Sequence, residues 1–246
     1  MNKLKFTLIT VCYNAESCIE ATIKSVVNQN YKKFEYIIID GGSTDNTLKI
    51  IKKYKGDIDV IISEQDKGIY DAMNKGLSKA RGQFVNFLNA GDKFCSNDIL
   101  GLVEKEITKD IKIISGDFNL FSNNTMIKPI KTRKLILENL KKDFYACHQS
   151  IFIHKSIATN YDTSFKIKAD YKWVLNALEQ INNEQVCKMN IALVNYDANG
   201  YSNENFVNNL LELIRLHYQT FGTLRVISNF DIYLLRLIRY IKNRIK

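Results

Sequence analysis

The feature that most constrains the fold of this chain is a regular alternation of short apolar segments with segments of helical spacing in its N-terminal part. The apolar segments are rich in Val, Ile and Phe and occupy residues 6–11, 34–39, 60–62 and 84–88. Such runs predict buried strands, and the apolar residues that recur every three or four positions between them predict helices. Strands that alternate with helices predict an α/β fold with a mostly parallel sheet and right-handed crossovers.

Polar residues follow every one of these predicted strands. They are Asn14, Asp40, Asp66, Asn89 and Asp92. The carboxyl ends of parallel strands meet at one edge of a sheet, where open α/β folds bind their ligands. We therefore expect an active site at this edge. The alternative for residues 89–92 is a simple turn, because Asn, Gly and Asp favour turn conformations.

Four motifs at these strand ends resemble the nucleotide-sugar glycosyltransferases of family two, which have the GT-A fold. The motifs read TVCYN at 10–14, IDGGSTD at 39–45, DKGIYDAMNKG at 66–76 and FLNAGD at 87–92. The resemblance extends from Phe6 to about Tyr171 and is closest to the branch that builds bacterial exopolysaccharide, capsule and O-antigen units. It implies a GT-A, Rossmann-like fold, with a mostly parallel mixed sheet flanked by helices.

The resemblance also implies a nucleotide-sugar donor, usually a uridine nucleotide. Tyr13 matches the tyrosine that stacks on the base, and Asp40 and Asp66 match carboxylates that hold the base and the ribose. Carboxylates can accept hydrogen bonds from an imide N–H or from ribose hydroxyls. The alternative for Asp40 is a cap on the following turn. The other residues assigned to donor binding are Thr10, Asn14, Lys67, Asn74, Asn89 and His148, although a lone histidine is equally open to a structural role.

The metal motif of the family is reduced in this chain. Where the family usually has two or three carboxylates, the sequence reads Asn89-Ala90-Gly91-Asp92. Mg²⁺ and Mn²⁺ take oxygen ligands from one or two carboxylates, from water and from substrate phosphates. The resemblance therefore implies a divalent metal, Mn²⁺ or Mg²⁺, at Asp92, with the donor diphosphate supplying further ligands.

The candidate base lies in a second cluster. After a hairpin predicted over 117–128, with its turn at Asn123-Asn124, and a strand over 151–153, a predicted helix begins at Ala169. The family has an acidic pair here, and Asp170 matches its second member. The resemblance implies that Asp170 is the base of an inverting transfer to a hydroxyl of a glycan acceptor, carried on a lipid diphosphate. Local sequence alone favours another role, a carboxylate that stabilises the helix N-terminus.

We expect a catalytic domain over 1–200, with a donor half at 1–116 and an acceptor half at 117–200, followed by amphipathic helices in 201–246. The chain has 35 Lys and Arg against 26 Asp and Glu, an excess that favours anionic partners. It contains no nucleic-acid-binding motif and no CxxC pair among its five cysteines. The short apolar N-terminal segment does not predict a signal peptide, so we expect a cytoplasmic protein.

The basic excess is concentrated near the C-terminus. Helices are predicted over 203–221 and 231–245, and from Arg225 to Lys246 there are six basic residues and one acidic residue. The second helix combines these with an apolar stripe, which predicts docking on the anionic inner face of the cell membrane. The alternative is that the stripe packs on the catalytic domain. The stripe is formed by Ile232, Leu235, Ile238, Ile241 and Ile245.

Two other function classes share parts of this pattern. A noncatalytic nucleotide-sugar-binding relative would keep the donor residues and lack the base, which the alanine at 169 and the reduced metal motif leave open. A sugar nucleotidyltransferase would need a glycine-rich phosphate loop after the first strand, and residues 11–14 do not form one.

Overall fold

The structure is a computed structural model that describes residues 4–122, 125–198 and 206–244. Within these residues one sheet of nine strands is flanked by helices on both faces. The strands are β1 (Phe6–Cys12), β2 (Phe34–Asp40), β3 (Val60–Ser63), β4 (Phe84–Phe87), β5 (Lys93–Phe94), β6 (Ile113–Ser122), β7 (Thr125–Ile130), β8 (Ile151–His154) and β9 (Val186–Asp197). The helices are α1 (Ile19–Val27), α2 (Thr47–Lys53), α3 (Ile69–Lys79), α4 (Ile99–Lys105), α5 (Leu137–Leu140), α6 (Ala169–Leu178), α7 (Phe206–Phe221), α8 (Thr223–Ser228) and α9 (Phe230–Arg244).

The strand order is β3-β2-β1-β4-β8-β6-β9-β5, and β7 pairs with β6. The strands from β3 to β4 are parallel, as predicted from the alternation of strands and helices. The rest of the sheet is mixed, because β8 runs antiparallel to both β4 and β6 while β9 runs parallel to β6. The predicted α/β class with a mixed, helix-flanked sheet is therefore confirmed.

The register aligns the carboxyl ends of the parallel strands. Cys12 pairs with Asp40, and Asp40 pairs with Ser63, so that β1, β2 and β3 end at the same level. Helices α1 and α4 cover one face of the sheet, and α3, α6 and α7 cover the other. Burial on both faces explains why these strands are almost continuously apolar.

The longest strand of the sheet, β9, was not predicted. Its sequence, VCKMNIALVNYD, mixes buried and exposed positions, and its partners β6 and β5 lie far away in the chain. The predicted hairpin is confirmed, because β6 and β7 pair from Phe118 to Ser122. Its predicted turn at Asn123-Asn124 lies outside the described residues. The strand β9 ends at Asp197, at the same edge of the sheet as the polar loops that follow β1, β3 and β4.

The C-terminal helices pack on the catalytic domain through one buried cluster. Leu213, Leu216 and His217 of α7 are buried, and the Tyr233 hydroxyl of α9 lies 2.7 Å from His217 Nδ1. The predicted helices at 203–221 and 231–245 correspond to α7 and α9, although residue 203 and Ile245 lie outside the described residues. Among the described helices, none combines the length and apolarity needed to span a membrane.

Candidate active site

A cavity of about 1050 Å³ opens at the carboxyl edge of the sheet, and we call it the edge cavity. Its volume lies at the upper end of the range of roughly 300–1,000 Å³ that is typical of small-molecule sites. All four sequence motifs contribute to its wall, together with residues from 146–149, 163–170 and 196–197. Residues before and after 116 therefore share one cavity.

Asn14 joins two loops at the edge cavity, the loop that follows β1 and the loop that follows β2. This residue has a positive φ of 46°, and its side-chain oxygen accepts a hydrogen bond of 2.9 Å from the backbone N–H of Thr44. Its own N–H donates to the Ser43 hydroxyl at 2.8 Å. The neighbouring Tyr13 is 63% exposed and lines the cavity. Its ring is therefore accessible for stacking.

Beside Tyr13, the Asp66 carboxylate lines the cavity and accepts a bond of 2.5 Å from Lys75 Nζ. A side chain at Gly41 would bring a Cβ within 3.0 Å of Asp66 Oδ2 and 3.5 Å of the Tyr13 ring. Glycine is therefore needed for the loops to approach each other. Lys67 also lines the cavity, and its N–H donates to Asp71 at 3.0 Å.

Three residues assigned to donor binding are absent from the described lining of the edge cavity. Thr10 is buried and donates to the Leu88 carbonyl at 2.8 Å. Asn74 exchanges two bonds with the backbone of Tyr161, at 3.0 and 2.7 Å. The Asp40 carboxylate is fully buried and accepts bonds from the hydroxyls of Ser43 and Ser63. Asp40 thus makes the turn-capping contacts that were the alternative reading, and the placement of all three gives no support to contact with the donor.

One turn holds both predicted functional carboxylates. His148 and Gln149 begin a short 3₁₀ turn, and His148 Nδ1 lies 3.3 Å from Asp170 Oδ2. Gln149 Nε2 donates to Asp92 Oδ2 at 2.7 Å, and its oxygen accepts from the Cys147 thiol. On its other side the His148 ring lies 3.4 Å from the amide nitrogen of Asn89. His148 and Asn89 both line the cavity.

Asp92 is only 4% exposed, yet it faces the edge cavity. Burial raises its pKa to about 7, although hydrogen bonds from the Asp197 N–H and Gln149 and the charge of His148 act in the opposite direction. The Asp197 N–H donates to Asp92 Oδ1 at 2.9 Å, and the Asp197 carboxylate adds a repulsion that raises the pKa further. Asp92 and Asp197 thus both line the cavity, and carboxylate oxygens are donors that suit a hard divalent cation.

Asp170 lies in the first turn of α6, and its carboxylate is 21% exposed. Burial alone would raise its pKa, but the hydrogen bond and charge of His148, the charge of Lys168 and the N–H of Tyr171 together lower it. Asp170 is therefore ionised at neutral pH, which is the state that a general base requires.

The model of glycosyl transferase family 2 matches residues 7–174, more than half of the chain. The chain belongs to this family. The matched region includes Asp92 and Asp170, whereas β9 and the C-terminal helices lie beyond it. The predicted resemblance is thus confirmed, and the protein is a glycosyltransferase.

Relatives and solved structures agree with this family. The chain is 27% identical over 184 residues to the Escherichia coli UDP-Glc:alpha-D-GlcNAc-diphosphoundecaprenol beta-1,3-glucosyltransferase WfgD, covering 74% of this chain and 73% of WfgD. It is similar in fold to S. aureus TarS in complex with UDP, with a TM-score of 0.70, 19% identity and coverage of 87% of this chain and 64% of the TarS chain. It is also similar to Mycobacterium tuberculosis glucosyl-3-phosphoglycerate synthase in complex with Mn²⁺, UDP and phosphoglyceric acid, with a TM-score of 0.61, 14% identity and coverage of 87% and 78%.

Sequence reasoning missed two residues of this family 2 site. Gln149 follows His148 directly, so its proximity to the site could have been inferred, but its contact with Asp92 could not. Asp197 is the last residue of the unpredicted strand β9, and no motif marks it. Among the described residues no cluster of three or more His, Cys, Asp and Glu side chains is arranged to hold a metal, so a cation here would need ligands from the donor or from water.

Proposed function

We propose that this family 2 glycosyltransferase transfers a sugar from a UDP-sugar to a hydroxyl of a glycan carried on a lipid diphosphate, with inversion at the anomeric carbon, during assembly of a bacterial surface polysaccharide. The observation that carries the proposal is that Tyr13, Asp92 and Asp170 line one cavity. The name of WfgD, which specifies UDP-Glc and a diphosphoundecaprenol-linked acceptor, supports the choice of both substrates.

The donor half at 1–116 would bind the nucleotide. The exposed ring of Tyr13 offers a face for the base, and the Asp66 carboxylate beside it can accept bonds from the base or the ribose. Lys67 brings a positive charge to the cavity wall, and Asn89 lines the cavity beside His148. The acceptor half at 117–200 would then provide the opposite wall.

A divalent cation, Mn²⁺ or Mg²⁺, fits the end of the cavity at Asp92. Asp92 and Asp197 would hold it, because both residues line the cavity and the Asp92 carboxylate is fixed by hydrogen bonds from Gln149 Nε2 and the Asp197 N–H. The raised pKa of Asp92 indicates a carboxylate whose charge is poorly compensated in the protein alone. When bound, the cation would offset the charge that develops on the departing diphosphate.

The transfer itself would use Asp170. Its carboxylate would take the proton of the acceptor hydroxyl while that oxygen attacks the anomeric carbon and the bond from this carbon to the diphosphate oxygen breaks. The proton then resides on Asp170, and UDP leaves with the bonding electron pair. His148, 3.3 Å from Asp170 Oδ2, would keep the carboxylate ionised and aimed into the cavity.

A transfer assay tests this function. The full chain is incubated with Mn²⁺, either UDP-glucose or UDP-GlcNAc, and a GlcNAc diphosphate with a short lipid chain, and both UDP release and the glycosylated lipid are measured. We expect acceptor-dependent UDP release and a product of inverted configuration with one of these donors. Tight UDP binding with no transfer to any lipid-diphosphate acceptor would instead identify the noncatalytic sugar-binding relative.

We further propose that the exposed apolar side chains of α8 and α9 dock on an anionic membrane surface, where a lipid-linked acceptor would be found. Three residues of the predicted stripe, Leu235, Ile238 and Ile241, are exposed, while Ile232 is half-buried. A second set of apolar side chains beside it is exposed too, including Leu224, Ile227, Phe230 and Leu234. Apolar side chains next to basic ones are typical of helices that lie in a membrane interface.

Substitution tests this docking better than truncation, because Tyr233 is buried and a deletion would expose its cluster. We expect the full chain to sediment with vesicles that contain anionic lipid in low salt, and less so in high salt. The double variant Ile227→Gln, Phe230→Gln should lose this binding. The control Met126→Gln, Ile127→Gln changes exposed apolar residues of β7 and should retain it. Equal binding by both variants would show that α8 and α9 do not dock.

A further inference from the structure

The segment that leads into α6 is held by a carboxylate from α7. Glu212 Oε1 accepts a bond of 2.7 Å from the N–H of Lys166, and Oε2 accepts bonds from the N–H groups of Ile167 and Lys168 at 2.8 and 3.0 Å. Lys168 directly precedes α6, and Asp170 is the second residue of that helix. Amides at the start of a helix have no partner within the helix, so an external carboxylate can fix where the helix begins.

The segment that leads into α6 makes two further sets of contacts with neighbouring helices. One turn along α7, the Arg215 guanidinium donates to the Ser164 hydroxyl at 3.0 Å and lies 4.6 Å from the centre of the Phe165 ring. From the opposite side, the Tyr70 hydroxyl of α3 donates to the Ile167 carbonyl at 2.8 Å. The backbone ahead of Asp170 is therefore fixed between α3 and α7.

This segment also forms part of the wall of the edge cavity. Thr163, Phe165, Lys166 and Ile167 line the cavity on the side of Asp170. A shift of the backbone at 166–168 would move both this wall and the start of α6. Small displacements of a general base are costly, because proton transfer needs hydrogen-bond distance in the reacting complex.

We propose that Glu212 is a positioning residue for Asp170. It sets the start of α6 by binding three consecutive N–H groups, and thereby the distance of the Asp170 carboxylate from the acceptor hydroxyl. This inference rests on the proposed role of Asp170 as the base. It makes α7, which lies beyond the region matched by the family model, a part of the catalytic architecture.

A double-mutant cycle on the full chain tests the inference, with UDP-glucose or UDP-GlcNAc and the short-chain GlcNAc diphosphate lipid as substrates. We expect Glu212→Ala to lower kcat about 10-fold or more, with the KM for the donor and the affinity for UDP within about twofold. Glu212→Gln retains one oxygen acceptor and should lower kcat by only about threefold. In the Asp170→Asn background either substitution should have almost no further effect, because the two residues act through one step. Glu179→Ala, an exposed glutamate at the other end of α6, is the matched control.

The outcomes separate this inference from the proposed function. If Asp170→Asn leaves kcat unchanged, the base assignment is wrong and the inference falls with it. If Asp170→Asn lowers kcat but the Glu212 variants do not, or do so equally in both backgrounds, Glu212 does not position Asp170. Hydrogen exchange gives a readout without substrates. In Glu212→Gln the amides of 166–168 should exchange faster while those of β1 stay unchanged, and unchanged exchange at 166–168 would overturn the proposal.

Discussion

The proposed donor side and the proposed reacting side of the edge cavity are built in different ways. On the donor side, Tyr13, Asn14, Gly41 and Asp66 lie on loops that directly follow parallel strands, and their contacts join neighbouring β-α units. On the other side the contacts join distant parts of the chain. Asp92 is bonded by Gln149 and Asp197, and Asp170 depends on His148.

Because of this difference, we expect donor binding and the chemical step to depend on different kinds of contact. A loop that follows a parallel strand is placed by the sheet register, so the proposed nucleotide side is defined by local geometry. The reacting side is defined by long-range pairing, in which β9 delivers Asp197 and α7 delivers Glu212. Substitutions on the donor side should therefore weaken binding alone, whereas substitutions on the other side should affect the chemical step.

The largest effect is expected where the two sides meet, at Asp92. Asp92→Asn keeps the shape of the side chain but removes the charge, and we expect Mn²⁺-stimulated transfer to fall by roughly 10³-fold, because a metal ion contributes several kcal/mol of charge stabilisation. The melting temperature should fall by only a few degrees, because burial already raises the pKa of Asp92 to about 7 and favours a neutral group, and the Asn amide removes just one of two hydrogen-bond acceptors. Asp57→Asn, in an exposed loop at the opposite edge of the sheet, is the control. An unchanged rate with an unchanged Mn²⁺ requirement would place the metal elsewhere.

The next largest effect is expected on stability, in the buried cluster where the C-terminal helices pack on the catalytic domain. Burial lowers the pKa of His217 from 6.5 to about 4, so folding favours neutral His217. The resulting stability is present above pH 6.5 and is lost as the pH falls towards 4, by about 2 kcal/mol at pH 5. Between pH 7 and pH 5 the wild type should therefore lose about 2 kcal/mol more unfolding free energy than His217→Gln. Denaturant titrations at the two pH values measure this, and equal losses would show that His217 is not buried in the neutral form.

The smallest effect is expected on the donor side. Tyr13→Ala should weaken UDP binding about 10-fold, within the roughly 1–3 kcal/mol that a base–aromatic stack contributes. The rate of transfer at saturating donor should change little, and stability should not change because Tyr13 is 63% exposed. Titration calorimetry with UDP provides the measurement, and Tyr218→Ala, an exposed tyrosine of α7, is the control. A wild-type affinity in Tyr13→Ala would mean that the base lies elsewhere in the cavity.

The same contrast explains what could be predicted from the sequence. The parallel strands, their helices and the cavity side chains of Tyr13 and Asp66 follow from local periodicity and from motifs at strand ends. Local patterns cannot show which polar groups a neighbouring element already satisfies. Thr10 and Asn74 were assigned to the donor from the family motifs, and their side chains bond to the Leu88 carbonyl and the Tyr161 backbone; their role in donor binding stays a prediction.

The rest of the site depends on contacts that no local pattern encodes. Asp197 is the last residue of a strand whose pairing with β6 decides its position, and Glu212 meets the start of α6 only after the C-terminal helices have packed. The burial of Asp40 also depends on tertiary packing, because Ser63, whose hydroxyl donates to its carboxylate, lies on the next strand of the sheet. Residue types and spacing thus gave the candidates, whereas tertiary packing decided which of them face the cavity.

The central claim is that Asp170 acts on the acceptor and not on the donor. Its most direct test is to compare Asp170→Asn with the wild type in two assays, the kcat of sugar transfer to the short-chain GlcNAc diphosphate lipid and the affinity for UDP. We expect kcat to fall by about 10²-fold or more, as loss of a general base requires, while the UDP affinity stays within about twofold. A parallel loss of UDP affinity, or a kcat close to that of the wild type, would contradict the assignment of Asp170 as the base.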